Sequence, residues 1–290
     1  ELHDALVGKQ GNEFWKTWRS KFEPVSKSVQ QVDGLTDEKE IVSHFEQYFS
    51  KTCTNLTEEG SRNLKQTYEE KRSKYCGMPF DDDTLFDVEL VDKSIRSCGR
   101  GKAAGLDGLT AEHLQYCHPV VCCILTKLFN LMIKVGYVPT GFGLSYTVPL
   151  PKTNSSCHIK SLTADDFRGI SISAVISKVF ERCFLDRFER FFETSDNQFG
   201  FKKSISCSHA IYSVKCVVDH FTKQGSTINL CALDLKKAFD KMNHHGLFLR
   251  LMERMLPINA LSTIEYWFSI CSTSVRWGDC FSNFINLKCG

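Results

Sequence analysis

Apolar side chains recur along the chain with several distinct periods. Ile41, Phe45 and Phe49 repeat every four residues behind Asp37 and Glu40, a helix-start pair, so a helix with one apolar stripe is predicted there. Leu90, Val91 and Ile95 predict a second helix stopping at Gly99, and the strongly apolar stretch 120–135 a third ending at Gly136. Ile176, Val179, Phe180, Phe184, Phe188 and Phe192 give a broad apolar face to a long helix over about 174–193, and another helix spans about 208–222. Strand patterns are shorter. Residues 146–150, closed by Pro151, read as one strand, 227–235 is a continuous β-type run, and 273–276 with 281–287 alternates like a hairpin. Helical character resumes at Ala238, which puts Asp234 near the carboxyl end of a buried strand, where α/β sheets often present ligand-binding groups.

Other stretches lack such order. Phe14, Trp15 and Trp18 stand between charges ahead of Pro24 and a polar run through Gly34, the texture of a linker. Residues 58–75 are charge-rich and weakly periodic, so the poorly packed part of the protein is expected there, followed by a loop over 76–83. The expected division is thus a helical or partly disordered linker over 1–83 and a mixed α/β region beyond it. No internal repeat is present.

Composition narrows the class. With 290 residues, 42% apolar and 24% charged, the chain is long enough to bury a core, which excludes collagen, wholesale disorder and a simple coiled coil. No apolar run approaches the roughly 18 residues of a membrane span, and the first thirty residues carry charge throughout, so an intracellular protein without a membrane partner is expected. The 14 cysteines are scattered, include adjacent Cys122 and Cys123 and form no C-x-x-C pair, so they read as free, mostly buried thiols. Cys117, His118, Cys122 and Cys123 lie on one apolar helix-like stretch without a second ligand pair, which favours burial over zinc. Charge is uneven: residues 1–100 hold 15 basic and 19 acidic side chains, and residues 101–290 hold 21 and 15, so a polyanion should prefer the second part.

Candidate chemistry concentrates in a few places. The glycine-rich stretch 99–108 lacks a glycine five residues before Gly101, and Ala103 replaces the hydroxyl after Lys102, so it reads as a turn and not a phosphate loop. Asp81, Asp82 and Asp83 supply oxygen ligands of the kind hard cations take, but consecutive acids point different ways, as in a solvated loop. Asp234 follows four apolar or small residues, and an ionised carboxylate there must be capped, paired or metal-bound. Capping of the next helix and metal binding both remain open on the residues alone.

Asn229-Leu-Cys-Ala-Leu-Asp-Leu-Lys-Lys-Ala-Phe-Asp240 resembles motif A of the reverse transcriptases of non-LTR (LINE-like) retrotransposons. Five other landmarks of that family stand in order. Gly101-Lys-Ala-Ala-Gly-Leu-Asp-Gly108 is similar to its opening motif, Val148-Pro-Leu-Pro-Lys152 to a fingers strand ending in lysine, and Asp166-Phe-Arg-Gly-Ile-Ser-Ile172 to its Tyr-Arg-Pro-Ile-Ser motif. Lys178-Val-Phe-Glu181 resembles the helix after it, and Gln198-Phe-Gly-Phe201 the Gln-x-Gly-Phe signature. More weakly, Phe14-Trp-Lys16 and Trp18 resemble the linker between endonuclease and polymerase.

The resemblance implies an α/β right-hand polymerase: fingers over 84–227 and a palm begun at 228 and cut short, preceded by the linker. It implies RNA-directed DNA synthesis in the nucleus, with an RNA template, a DNA primer, deoxynucleoside triphosphates and two Mg2+ ions. Asp234 would bind both metals, with the Leu235 carbonyl completing one shell. Lys152 and Arg168 would clamp the triphosphate, where by themselves they read as surface charges. Phe239 would act as the steric gate against a ribose 2′ hydroxyl, its alternative being a core phenylalanine. Gln198, Gly200, Phe201 and Lys202 would lie near template or primer. Gly169 replaces the family's proline, which would loosen a loop carrying Arg168. Cys289-Gly290 falls where the first glycine of motif B is expected, and the aromatic-Ala-Asp-Asp carboxylates would follow. Asp165 and Asp166 precede Asp234 and do not substitute, so these residues alone are expected not to polymerise. The alternative is a non-catalytic RNA-binding or partner-binding remnant using the basic surface.

Overall fold

The computed structural model describes residues 31–54, 58–81, 85–152, 162–202, 204–235 and 237–290. Phe14, Trp15, Trp18, Pro24, Asp82 and Asp83 lie outside them. The described residues form a mixed α/β structure with nine α-helices and one four-stranded sheet.

Asp37 Oδ2 accepts the backbone N–H groups of Lys39 and Glu40 at 3.0 and 3.2 Å, and this cap starts α1 (Glu38–Thr54). The stripe behind it is buried against the sheet. Phe45 lies 5.2 Å from the Phe167 ring, edge to face, and stacks on Trp277 at 5.7 Å, with Ile41, Val275 and Ile285 around them. The sheet runs β2-β1-β3-β4: β1 (Leu144–Pro151) pairs antiparallel with β2 (Phe167–Ser173) and parallel with β3 (Ser272–Trp277), which turns into β4 (Cys280–Asn286). Val32 is fully buried in this second core and Asp33 N–H donates to Leu162 O at 2.8 Å. The expected linker texture therefore gives way, at Val32, to packed structure.

The larger core lies among helices. α3 (Val88–Arg96), α5 (Val120–Val135), α6 (Val175–Arg187), α8 (His244–Glu253) and α9 (Ile258–Ser269) close around Phe180, whose ring meets Phe129 at 5.2 Å and Trp267 at 5.5 Å. Gly136 caps α5 in the left-handed conformation (φ 70°), as its position predicts. The short α4 (Ala111–Gln115) is tied to the end of α3 by Gln115 Nε2, which donates to Ile95 O and Cys98 O.

Four expectations are corrected or refined. Residues 58–72 form a helix, α2 (Glu58–Arg72), which buries none of its described side chains fully but is held to α9 by Arg72 Nε and Tyr68 Oη, 2.9 and 2.8 Å from Glu265 Oε1. The anchors on its inner face are polar, so hydrophobic periodicity does not reveal them. Residues 167–173 are a strand and not a loop. Gly169 does not loosen it: a Cβ there would stand 2.9 Å from the Phe49 ring and from Thr147 Cγ2, so glycine lets α1 approach β2. Residues 227–235 form no strand. No described strand pairs with them, and Leu233 is 92% exposed, so the run lacks the neighbours that a fully buried strand requires. The cysteines are unbridged among the described residues, but only Cys53, Cys98, Cys122, Cys183 and Cys289 are buried. The helix predicted over about 208–222 forms as α7 (Cys207–Lys223) but buries none of its residues.

Candidate active site

The two faces of the sheet differ. Phe167, Val275 and Ile285 point toward α1, whereas the opposite face carries exposed Leu150 and Ile170. In the antiparallel register Leu150 stands opposite Arg168 and Val148 opposite Ile170, and side chains directly opposite share a face. Lys152 follows two residues after Leu150, and its N–H donates to Asp166 O at 2.8 Å, continuing the ladder. Lys152 and Arg168 are therefore at the same end of one hairpin. The Lys152 ammonium itself rests on the Asp165 carbonyl. The glycine-rich turn adjoins this hairpin: Tyr146 Oη donates to Ala104 O at 2.9 Å, and a Cβ on Gly105 would meet Ala174 backbone at 2.9 Å.

Asp234 is exposed in the unpaired stretch, and no hydrogen bond or ion pair joins it to another described residue. The capping alternative is excluded, because the next helix, α8, starts ten residues later and is capped by Asn243 Oδ1 on Gly246 N–H at 3.0 Å. Phe239 is not a core residue either. It is 72% exposed, and its ring meets that of Phe201, itself 90% exposed, edge to face at 5.6 Å. Phe201 belongs to a turn closed on itself: Gln198 Nε2 donates to Gly200 O at 3.2 Å and Lys202 Nζ to Ser195 O at 2.7 Å. Thus the Gln198–Lys202 turn and Phe239 are brought together, as are Lys152 and Arg168, while no contact links Asp234 to either pair among the described residues.

Sequence reasoning missed three residues that tie these parts to the fold. Lys237, in the left-handed region at φ 55°, donates from Nζ to Tyr48 Oη at 2.6 Å and lies 4.3 Å from the centre of that ring. Tyr48 Oη donates to Asp165 Oδ1 at 2.6 Å, and Lys237 Nζ is 3.6 Å from the same oxygen. Burial, then the hydrogen bond to Asp165, pushes the Tyr48 phenol far above its ordinary value, so the hydroxyl stays protonated and donates. Tyr48 falls seven residues after Ile41 on the same stripe of α1, a spacing that signals an inward position. Nothing in the local sequence signals Asp165 as its partner, 117 residues away.

Among the described residues, no group of three or more acidic, histidine or cysteine side chains is placed to hold a metal ion. Asp234 offers one hard oxygen donor, which suits an ion such as Mg2+ that keeps water and substrate phosphates in its shell but is no closed site by itself. No described helix is long and apolar enough to cross a membrane.

Comparison with known proteins agrees with the ordered motifs. Residues 150–284 match the family model described as reverse transcriptase (RNA-dependent DNA polymerase). The chain is 25% identical over 179 residues to the Pol polyprotein of type-2 retrotransposable element R2DM of Drosophila melanogaster, covering 62% of this chain and 16% of that protein. It is 25% identical over 213 residues to the RNA-directed DNA polymerase of mobile element jockey of Drosophila funebris, covering 69% and 22% respectively. A probable RNA-directed DNA polymerase of transposon X-element of Drosophila melanogaster is 24% identical over 206 residues, covering 70% and 22%. The chain thus spans roughly a fifth of the length of these relatives. With one motif ahead of the matched span and the others at its start or within it, the chain is similar to the reverse transcriptases of non-LTR retrotransposons, and the similarity centres on residues 150–284.

Proposed function

We propose that this chain is part of an RNA-directed DNA polymerase, holding the fingers over 84–227 and the first segment of the palm from 228. It copies an RNA template from a DNA primer in the nucleus, using deoxynucleoside triphosphates. The observation that carries this reading is the ordered motif series, together with the convergence of Lys152 and Arg168 on one hairpin end. Two cations there suit a triphosphate, with arginine able to grip it bidentately. Asp234 supplies one carboxylate for divalent metal, with the Leu235 carbonyl beside it. Mg2+, when bound, would lower the cost of the charge that builds on the attacking and leaving oxygens.

Residues 198–202 supply backbone groups and the exposed Phe201 ring to the template or primer. Phe239 supplies a bulky edge beside the sugar of the incoming nucleotide. One carboxylate does not hold two ions, so Asp234 needs further acidic ligands beside it for synthesis. Leu230, Leu233 and Leu235 beside it are exposed, which leaves that run open to a further element or to substrate.

Primer extension on an RNA template, using the chain lengthened with its downstream reading frame, tests the proposal. Synthesis is expected, and Phe239→Ala is expected to raise ribonucleotide use relative to deoxynucleotide roughly 10- to 200-fold, the range for reshaping a pocket by a few carbon atoms. RNA binding with no synthesis by the lengthened chain would favour the non-catalytic remnant. Unchanged sugar discrimination in Phe239→Ala would remove the gate.

A further inference from the structure

The turn after Asp234 is held by a helix that precedes the matched polymerase span. Lys237 carries a left-handed backbone, a conformation costly for a side chain with a Cβ, which persists only where surrounding contacts fix it. Those contacts come from α1. The Lys237 ammonium is received by the Tyr48 hydroxyl at 2.6 Å and lies over the Tyr48 ring, with Thr52 Oγ1 at 3.5 Å. The same hydroxyl donates to Asp165, whose backbone carbonyl holds the Lys152 ammonium. One tyrosine therefore connects the motif A turn to the residue that also holds the lysine at the end of β1.

We infer that Tyr48 is a positioning residue for the polymerase site: through Lys237 and Asp165 it fixes the motif A turn, and with it Phe239, relative to Lys152. This inference rests on the polymerase reading for its consequence, but not for the latch itself. Tyr48 touches no substrate in this role. Its hydroxyl makes two hydrogen bonds whose loss leaves the ring packed against Phe49, 5.4 Å away, and the cation still over the ring. Tyr48→Phe therefore separates the latch from the packing.

Two measurements test this. In the 290-residue chain, trypsin must draw the partly buried Lys237 side chain out of its seat to cut before Ala238. With the hydrogen bonds of the Tyr48 hydroxyl removed, Tyr48→Phe is expected to speed that cut on the order of ten-fold and leave cleavage at other sites unchanged. An unchanged rate at Lys237, or acceleration throughout the chain, overturns the latch. In the lengthened chain, Tyr48→Phe and Asp165→Asn are expected to raise KM for deoxynucleotides and weaken sugar discrimination, with less effect on kcat. A faster cut with unaltered KM and discrimination makes the contact merely structural and overturns the positioning role. A lengthened parent that copies no template removes that role together with the polymerase reading, whereas the proteolysis result then still decides the latch.

Discussion

Alanine in place of Asp234 is expected to lower primer extension by the lengthened chain on the order of 10²–10³-fold or more, the loss typical of removing one preorganised electrostatic group from a reaction centre. Stability should hardly change. Asp234 is exposed and bonded to no described residue, and substitutions at such surface sites stay within about 0.5 kcal/mol. A large loss of synthesis without a loss of stability is the signature of a group kept for chemistry. Chemical denaturation of Asp234→Ala alongside the extension assay separates the two. Equal loss in both would mean that the carboxylate serves the fold.

Phe45→Ala is expected to behave in the opposite way, costing roughly 3–5 kcal/mol, the range for emptying a buried phenylalanine site. Phe45 has no exposed surface, and its ring is enclosed by Phe49, Phe167 and Trp277, so its removal opens a cavity between α1 and three strands. Against a total stability of about 5–15 kcal/mol, that is a large share. Denaturant midpoints of parent and variant measure it. A shift below about 1 kcal/mol would mean that α1 is a loosely attached linker, as the composition before residue 84 suggests, and not a layer of the fold.

Local signals in the sequence were sufficient where an element is stabilised by its own apolar face. The stripe Ile41, Phe45, Phe49, the face around Phe180 and the stop at Gly136 all specify helices that the structure contains. The terminal hairpin was legible from its alternation alone. Elements held by distant partners were not. α2 depends on Glu265, an ion pair almost 200 positions away, and β2 is hidden because Gly169 and Arg168 interrupt the pattern that its ladder with β1 satisfies. The run 227–235 shows the reverse failure: strand propensity without a strand beside it leaves the segment as exposed coil.

The candidate site follows the same division. Lys152, Arg168, Asp234 and Phe239 are proposed from motif order, a signal written locally into the chain. Their arrangement was not legible, because it is set by contacts such as that of Tyr48 with Asp165, which span 117 positions. The left-handed conformation of Lys237 is likewise a tertiary property, since nothing in Lys-Lys-Ala-Phe favours it.

The most direct measurement is the metal dependence of extension with Asp234→Cys in the lengthened chain. A thiolate is a poor ligand for Mg2+ and a better one for softer ions, so synthesis should collapse in Mg2+ and partly return when Mn2+ or Cd2+ is added, with no such return for Asp234→Ala. A cysteine variant that copies RNA in Mg2+ as fast as the parent would contradict the claim that this carboxylate holds the metal.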